Sequence, residues 1–356
     1  MALKLFNYLT KKKEIFRPLK AGKVGLYTCG PTVYDTAHLG NLRTYIFEDV
    51  LRRTLKANGL KVKQVMNITD VEDKIIKKMR EEKKRLKEIT EPNIKIFFQD
   101  LKKLNIEKAE VYPKATEHIQ EIIKLIAVLL KKGLAYKAED DSIYFKISKF
   151  KNYGQLSGLK SKDVGRPYND GRRISEDEYK KEAADFALWK ARPAKAGREP
   201  SWPSPFGPGR PGWHIECSAM SMKYLGKTFD IHAGAIDLLF PHHENEIAQS
   251  QAATGKKFVN FWLEGEHLLV SGQKMAKSLK NFLTLKDIEK KGFDPLVFRY
   301  LVLTSHYRKK LNFTWNSLKA GQNALDKLKE ILSATTGLNP LSRDLIQSSQ
   351  KFLEAI

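Results

Sequence analysis

The sequence has only two cysteines among its 356 residues, Cys29 and Cys217, and this scarcity limits the metal sites and cross-links that it can form. Two cysteines exclude a zinc site of four cysteines, or of three cysteines and a histidine. A metal site would therefore have to recruit histidine or a carboxylate. A disulfide between the two is not expected, because the sequence shows no secretion signal.

Long apolar runs are also absent. No run approaches the roughly 20 residues that cross a membrane, and the stretch MALKLFNYLTKKKEIF lacks the apolar core of a signal peptide. We therefore expect a cytoplasmic protein without membrane contact. No repeat or low-complexity segment is evident. The G-x-G-x-x-G fingerprint of dinucleotide-binding dehydrogenases is missing, so a Rossmann-like fold would have to serve another chemistry.

Basic residues are in excess. Lys and Arg number 64 against 41 Asp and Glu, which gives a formal net charge of +23 at pH 7. This excess favours a polyanionic partner such as a nucleic acid, because clustered cations gain free energy by releasing phosphate counterions. The alternative is that lysines cover solvated helix faces without such a partner. The length allows two or three domains with a sizeable core.

The stretch LYTCGPTVYDTAHLGNLR, residues 26–43, joins a short strand to the start of a helix. Residues 24–28 are β-prone and Gly30-Pro31 ends them, so Cys29 would lie at the carboxyl edge of a strand. Ligands of open α/β sheets bind at that edge. Apolar residues then recur at helical spacing up to Asn58-Gly59, which predicts a helix that starts near His38.

The start of this helix suits a phosphate, because free N–H groups and the positive end of the helix dipole meet there. His38 and Asn41 are three residues apart and can both face the phosphate. Gly40 lacks a Cβ atom, which would let a nucleotide lie close to the backbone. The alternative for His38 is an ordinary helix cap or surface residue.

Strands and helices alternate in the first half of the chain. Residues 62–68 predict a second buried strand, and Thr69-Asp70 predicts the cap of the helix after it. This alternation is typical of a parallel sheet with helical crossovers, so the fold class is α/β. Further predictions are a hairpin around Asp140-Asp141 and helices at 114–132, 295–304, 314–332 and 342–355.

Cys217 is followed by a strand at 228–232 and then by a histidine and glutamate pair. Pro241 predicts the start of a helix on which His242 and Glu246, four residues apart, share one face. His243 and Glu246 are three residues apart. A cysteine with such a pair indicates zinc, because ligands on one turn converge without strain. The alternative is a helix start with ordinary His and Glu residues.

The segment GQKMAKSL, residues 272–279, follows a strand predicted at 266–270. In a chain with so many lysines, K-x-x-K-S alone carries little information. Together with YTCGPTVYD, H-x-G and NITDVEDKI, however, it resembles the cysteinyl-tRNA synthetases, which are class I enzymes with HIGH and KMSKS motifs. The similar segments occur in the same order as in that family, and the resemblance extends from about residue 3 to about residue 332.

The resemblance implies a class I Rossmann-like parallel-sheet catalytic domain that is split by a connective insertion and followed by an α-helical stem. The two halves of this domain would carry different sites, the HLGN motif in the first half and the zinc site in the second. The corresponding domains are residues 1–110 for the first half, 111–200 for the insertion, 201–270 for the second half, and 271–356 for the KMAKS loop and stem-contact region.

The activity implied by the resemblance is the ATP-dependent conversion of L-cysteine to cysteinyl-adenylate and its transfer to the 3′ end of tRNA(Cys). Mg²⁺ would accompany ATP, and one Zn²⁺ per monomeric chain would select cysteine over serine, because zinc prefers a thiolate. By resemblance the zinc ligands are Cys29, Cys217, His242 and Glu246, and the catalytic residues are His38, Asn41, Lys274 and Lys277. The residues implied to contact ATP are Gly40, His38, Lys277 and Ser278. Those implied to contact cysteine are Thr69, Trp213, His232 and Asp237.

Several positions depart from the family pattern. Asn41 replaces a second histidine, Ala276 replaces a serine, and Lys280 replaces a glycine, while Ala233 and Ala235 stand where glycines are frequent. An asparagine can donate to a phosphate oxygen but carries no charge. The family normally continues into an anticodon-reading region beyond the stem. We therefore expect cysteine activation to survive in this chain and tRNA recognition to weaken.

Two other functions stay open at this point. A cysteine ligase of the mycothiol pathway shares the zinc site and the adenylation but joins cysteine to an amino sugar. A catalytically silent paralogue that binds RNA would account for Asn41 and Ala276. The motifs GPTVYD and NITDVEDKI resemble the tRNA enzyme more closely, and the basic charge is consistent with RNA.

Overall fold

The computed structural model describes residues 2–159, 182, 184–193, 197, 199–275, 279 and 281–335. Its strands are β1 Lys4–Asn7, β2 Lys12–Ile15, β3 Lys23–Thr28, β4 Lys61–Met66, β5 Ala135–Lys137, β6 Ile143–Phe145, β7 Phe186–Ala191, β8 Gly209–Pro211, β9 Phe229–Ala235, β10 Val259–Gly265, β11 Leu268–Val270, β12 Gln273–Lys274 and β13 Leu311–Phe313. Its α-helices are α1 Leu39–Ala57, α2 Asp73–Glu82, α3 Leu86–Lys103, α4 Ile119–Lys131, α5 Trp213–Leu225, α6 Glu244–Thr254, α7 Leu285–Lys290, α8 Pro295–Leu303 and α9 Trp315–Thr335.

The chain forms two compact units, and each draws on separate parts of the sequence. One unit comprises the residues up to Asp35, Leu60–Asn93 and Ala109–Leu263. The other comprises Thr36–Gly59, Ile94–Lys108 and the residues from Glu264 onward. The domain boundaries predicted at residues 110, 200 and 270 stay a prediction.

A four-stranded sheet in the order β10-β9-β3-β4 forms the centre of the first unit. Strand β3 pairs in parallel with β4 and with β9, and Tyr27 lies opposite His232. Leu26 and Tyr27 of β3 are fully buried because both faces of the strand are covered, as expected in a parallel sheet. The α/β class and the parallel sheet are therefore confirmed.

A second, antiparallel sheet in the order β5-β6-β7-β8 packs against α4. The predicted hairpin is confirmed between β5 and β6, where Asp141 has a φ of 67°. Helix α4 lies within the predicted range 114–132 and buries the stripe that includes Ile122 and Ile126 against Trp189 of β7. Strand β7 had no counterpart in the sequence analysis.

The predicted cap of α2 is wrong. Glu72 is the N-cap, and its Oε2 atom accepts a hydrogen bond from the backbone N–H of Lys74 over 2.8 Å. Asp70 instead accepts hydrogen bonds from the backbone N–H and the hydroxyl of Thr116, at 2.9 and 2.6 Å. This contact over a long sequence separation withdraws the Asp70 carboxylate from its local capping role.

The second unit contains α1, α7, α8, α9 and a small sheet in the order β12-β11-β13. The helices predicted at 295–304 and 314–332 are confirmed as α8 and α9, and the one predicted at 342–355 lies outside the described residues. Asp294 caps α8 through the backbone N–H of Leu296, and Pro295 occupies its first turn. No helix in the described part of the chain is long and apolar enough to cross a membrane.

Candidate metal centre and nucleotide site

A buried cluster in the first unit contains the four predicted zinc ligands. Cys29 directly follows β3, Cys217 lies in α5, His242 lies in the turn just before α6, and Glu246 lies in the first turn of α6. One ligand atom from each of the four residues lies within 4.8 Å of the ligand atoms of the other three. The structure thus brings together residues that are far apart in the sequence.

The turn before α6 sets the direction of the histidines. Residues Leu239–His243 form a π-helical turn in which Phe240 departs from helical geometry, and α6 follows directly. His242 Nε2 lies 3.1 Å from Glu246 Oε1, so the predicted shared face of these two residues is confirmed.

Two further histidines belong to the cluster. His232 Nε2 lies 3.1 Å from Glu246 Oε2, and His243 Nε2 lies 3.6 Å from Cys29 Sγ. Cys29, Glu246 and these two histidines form a second group whose ligand atoms all lie within 4.8 Å of one another. The cluster therefore offers six side chains with sulfur, nitrogen and oxygen donors.

Contacts within this cluster shift the pKa values of Cys217, His242 and Glu246. Burial would raise the pKa of Cys217, but hydrogen bonds with Cys29 and His242 lower it to about 6. Burial would likewise lower the pKa of His242, but Cys217 and Glu246 raise it to about 10. Despite its burial, Glu246 has a pKa held well below the usual range by His232 and His242. Without a metal, the cluster thus favours a Cys217 thiolate and a Glu246 carboxylate beside a protonated His242, and metal binding would displace the proton of His242.

The donors fit a bound metal ion. Glu246 Oε1 is buried and lies 3.1 Å from His242 Nε2, so two predicted ligand atoms face each other at the distance expected of neighbouring ligands around one ion. Two thiols, an imidazole and a carboxylate match the ligand types that zinc takes in proteins. A metal ion would neutralise the negative charge of the Cys217 thiolate and the Glu246 carboxylate.

The residues predicted to contact cysteine lie at different distances from the cluster. The ring of Trp213 lies 4.3 Å from the ring of His242, centroid to centroid, and His232 is part of the cluster itself. Thr69 donates to Glu216 Oε2 over 3.2 Å, and Glu216 directly precedes Cys217. Asp237 lies in the 3₁₀ turn Ile236–Leu238 with an exposed side chain.

Close packing beside the cluster requires glycine at position 234. A Cβ atom there would lie 2.8 Å from His243 Cε1, closer than non-bonded atoms approach. Trp213 also lines a cavity of about 190 Å³, together with residues that include Tyr153, Lys190 and His214. Gly234 therefore allows the close approach of the β9 backbone to His243, and Trp213 contributes both to the surroundings of His242 and to this cavity.

Three residues near the cluster were missed by the sequence analysis. His214 Nδ1 lies 2.9 Å from His242 Nδ1, and the three-residue spacing from His214 to Cys217 could have indicated it. Glu216 is fully buried with Oε1 unpaired, and burial raises its pKa well above the usual value. Glu244 accepts hydrogen bonds from three backbone N–H groups between Gly154 and Ser157, which no local pattern could reveal.

In the second unit, the predicted helix start near His38 is confirmed, and His38 is the N-cap of α1, which was the alternative considered for this residue. The backbone N–H of Asn41 donates to His38 Nδ1, and the backbone N–H of His38 donates to Asn41 Oδ1, both over 3.2 Å. This reciprocal pair is a capping box. A Cβ atom on Gly40 would lie 2.9 Å from the His38 ring, so the ring position depends on this glycine.

The segment after the KMAKS motif pairs with the start of α1. The backbone N–H of Leu39 donates to the carbonyl of Leu283 over 2.9 Å, and the ring of Phe282 lies edge-on to His38 at 5.2 Å. The Asn281 side chain donates to the carbonyl of Lys274 over 3.1 Å, and Lys274 itself is exposed in β12. Lys277 and Ser278, like Ala276 and Lys280, lie outside the described residues.

Comparison with known proteins places this architecture in a family. Residues 15–323 match the family model described as tRNA synthetases class I (C) catalytic domain. The structure of Mycobacterium tuberculosis methionyl-tRNA synthetase in complex with methionyl-adenylate superposes on this chain with a TM-score of 0.68 at 12% sequence identity. The superposition covers 88% of this chain and 71% of the methionyl-tRNA synthetase chain. That identity supports the fold alone. The fold and the matched domain define a class I aminoacyl-tRNA synthetase.

Curated relatives narrow the assignment. Proteins named cysteine–tRNA ligase from Brachyspira hyodysenteriae and Chlamydia pneumoniae are each 50% identical to the chain over 99% of its length. The alignments cover 75% and 74% of these relatives. The chain belongs to the cysteine–tRNA ligase family of class I aminoacyl-tRNA synthetases. The mycothiol ligase and the silent paralogue are not favoured by these matches.

Proposed function

We propose that the chain activates L-cysteine with MgATP to cysteinyl-adenylate and transfers the cysteinyl group to the 3′ end of tRNA(Cys). The observation that supports this most directly is the buried cluster of Cys29, Cys217, His242 and Glu246 in a chain of this family. The formal charge of +23 is consistent with a polyanionic RNA substrate. The monomeric state and the cytoplasmic location stay predictions.

Selection of cysteine is assigned to the metal cluster. We take zinc as the metal, held by Cys29, Cys217, His242 and Glu246, where it supplies a thiolate-preferring coordination position that a serine hydroxyl fills poorly. Shape alone discriminates weakly between such similar amino acids. The Trp213 ring beside His242 and the His232 ring would border the substrate side chain. Thr69 and Asp237 are assigned to the polar end of the amino acid.

Catalysis of adenylation would depend on positioning and charge. The carboxylate of cysteine attacks the α-phosphorus of ATP, and pyrophosphate leaves. His38 and Asn41 at the start of α1 would donate to phosphate oxygens, and Gly40 leaves room for the nucleotide. Lys274 and Lys277 would stabilise the negative charge that develops on the phosphates, with Ser278 as a further ATP contact. No protein nucleophile is required.

The test is cysteine-dependent exchange of labelled pyrophosphate into ATP, with serine as the competing substrate. We expect exchange with cysteine, none with serine, and loss of exchange in Cys29→Ala. A charging assay with tRNA(Cys) then identifies the acceptor. Absence of exchange in folded, zinc-loaded protein would contradict the proposal, and exchange with an amino sugar but not tRNA as acceptor would favour the mycothiol-type ligase.

A further inference from the structure

We propose that the buried cluster offers a divalent metal two overlapping sets of four ligands. The first set is the one assigned above, with two sulfurs. The second replaces Cys217 and His242 by His232 and His243 and keeps Cys29 and Glu246. The two histidines would act as reserve ligands when the first set is damaged. The inference depends on the proposed function only in treating the cluster as a metal site.

The ligand atoms of the second set lie as close to one another as those of the first set, within the same limit of 4.8 Å. His243 Nε2 is 3.6 Å from Cys29 Sγ, and His232 Nε2 is 3.1 Å from Glu246 Oε2. The reserve histidines therefore each adjoin one of the two shared ligands. A metal ion would move only a short distance within the cluster to exchange one set for the other.

The reserve rings are held in place by packing. His232 stacks on Trp262 with 4.6 Å between ring centroids and an interplanar angle of 18°, and it meets Tyr27 edge-on at 5.1 Å. His243 lies 4.6 Å from His232 and 5.2 Å from Trp262. Both histidines are fully buried. Rings fixed in this way need little reorganisation to bind a metal.

The His232 atom that belongs to the second set is Nε2, which lies 3.1 Å from Glu246 Oε2. To bind a metal through Nε2, the imidazole would carry its proton on Nδ1.

The two sets differ in chemistry. The first, with two thiolates, favours zinc and other thiophilic ions, whereas the second has one thiolate and two imidazoles, which suit zinc, cobalt and nickel. A metal held by the second set would survive oxidation or alkylation of Cys217. Cys29 and Glu246 belong to both sets, so their loss would remove the metal entirely.

The test is Co²⁺ binding, because the intensity of the sulfur-to-cobalt charge-transfer band reports the number of thiolate ligands. We expect wild type and His243→Asn to bind one Co²⁺ with two thiolates. Cys217→Ala should still bind one Co²⁺, more weakly and with one thiolate. Cys217→Ala/His243→Asn should bind at least about tenfold more weakly than Cys217→Ala.

Two results would overturn the inference: no Co²⁺ binding by Cys217→Ala with a wild-type far-UV spectrum, or equal affinities of Cys217→Ala and the double variant. If Cys217→Ala does not fold, the pair His242→Asn and His242→Asn/His232→Asn makes the same comparison. Wild-type binding with two thiolates and cysteine-dependent exchange would leave the proposed function intact in either case. A wild type that binds no metal would contradict both.

Discussion

Arg299 of α8 donates a hydrogen bond to Asp49 of α1 over 2.6 Å, and both side chains are fully buried. Asp49 also accepts from Arg53 Nε over 2.9 Å and from the backbone N–H of Glu107. Arg299 donates further to the carbonyl of Leu104 over 3.0 Å. This network joins α1, the helix that begins at the HLGN motif, to α8.

Removal of the Arg299 side chain alone should lower the free energy of unfolding. Arg299→Met would leave the Asp49 carboxylate buried and without its strongest partner, and we expect a loss of about 3–5 kcal/mol of stability. In an Asp49→Asn background the same change should cost at least about 1 kcal/mol less, because the remaining group is neutral. Urea unfolding of the four proteins measures this coupling. Additive effects would show that the pair contributes no interaction energy.

Asn41 is expected to serve both the helix cap and the nucleotide. Asn41→Asp keeps the side-chain oxygen that accepts from His38 and should leave the melting temperature nearly unchanged. Its charge should repel ATP and lower kcat/KM for ATP in pyrophosphate exchange at least about tenfold, or about 1.4 kcal/mol. Asn41→Ala should lose about 1 kcal/mol of stability through the cap. Normal ATP kinetics in Asn41→Asp would remove Asn41 from the phosphate site.

Glu48 of α1 should make stability depend on pH. Its carboxyl is fully buried, neither oxygen makes a hydrogen bond, and burial raises its pKa well above 4.5. The folded protein therefore holds this proton more tightly than the unfolded chain, so Glu48 lowers the free energy of unfolding as the pH rises above 4.5.

Glu48→Gln removes this titration. Its stability relative to wild type should increase by up to about 1.4 kcal/mol per pH unit between pH 5 and the folded-state pKa of Glu48. Melting curves at pH 5, 6, 7 and 8 test this, with Glu81→Gln at an exposed position as the control. A constant difference between Glu48→Gln and wild type across this range would contradict the prediction.

Removal of the metal should destabilise the protein. A ligand that binds only the folded state adds about 2.7 kcal/mol at one hundred times its dissociation constant. EDTA should therefore lower the melting temperature of wild type, and wild type denatured without EDTA should release one zinc per chain to a colorimetric indicator. Cys29→Ala, which lacks a ligand of both sets, should show no response to EDTA. An equal response of the two proteins would place the bound metal elsewhere.

Much of the fold was predictable where local patterns are strong. The β3–α1–β4 unit was predicted correctly because its local signals are clear. A β-prone run ends at Gly-Pro, and apolar residues then recur at helical spacing over several turns. The proximity of Cys29 to Cys217 could not be derived from spacing, since it depends on the packing of α5 against β3. The resemblance to a known family supplied that expectation instead.

Other features depend on contacts that no local pattern encodes. Strand β7, Phe186–Ala191, is a short apolar run, and such a run does not distinguish a strand from a buried helix segment. Asp70 looked like a cap but is bound by Thr116 from a later segment. The sequence analysis predicted four donors in the cluster, whereas the structure has six. His232, one of the two additional donors, lies in β9, and no local pattern shows that β9 adjoins the other ligands.

The order in which the proposed metal ligands occur along the chain has a consequence for biosynthesis. Cys29 leaves the ribosome long before Cys217, His242 and Glu246, and at 5–20 residues per second the delay to Glu246 is roughly 10–40 seconds. During this interval no complete ligand set exists on the nascent chain. Metal capture must therefore be a late event in the maturation of this enzyme, and the first cysteine has to stay reduced while it waits.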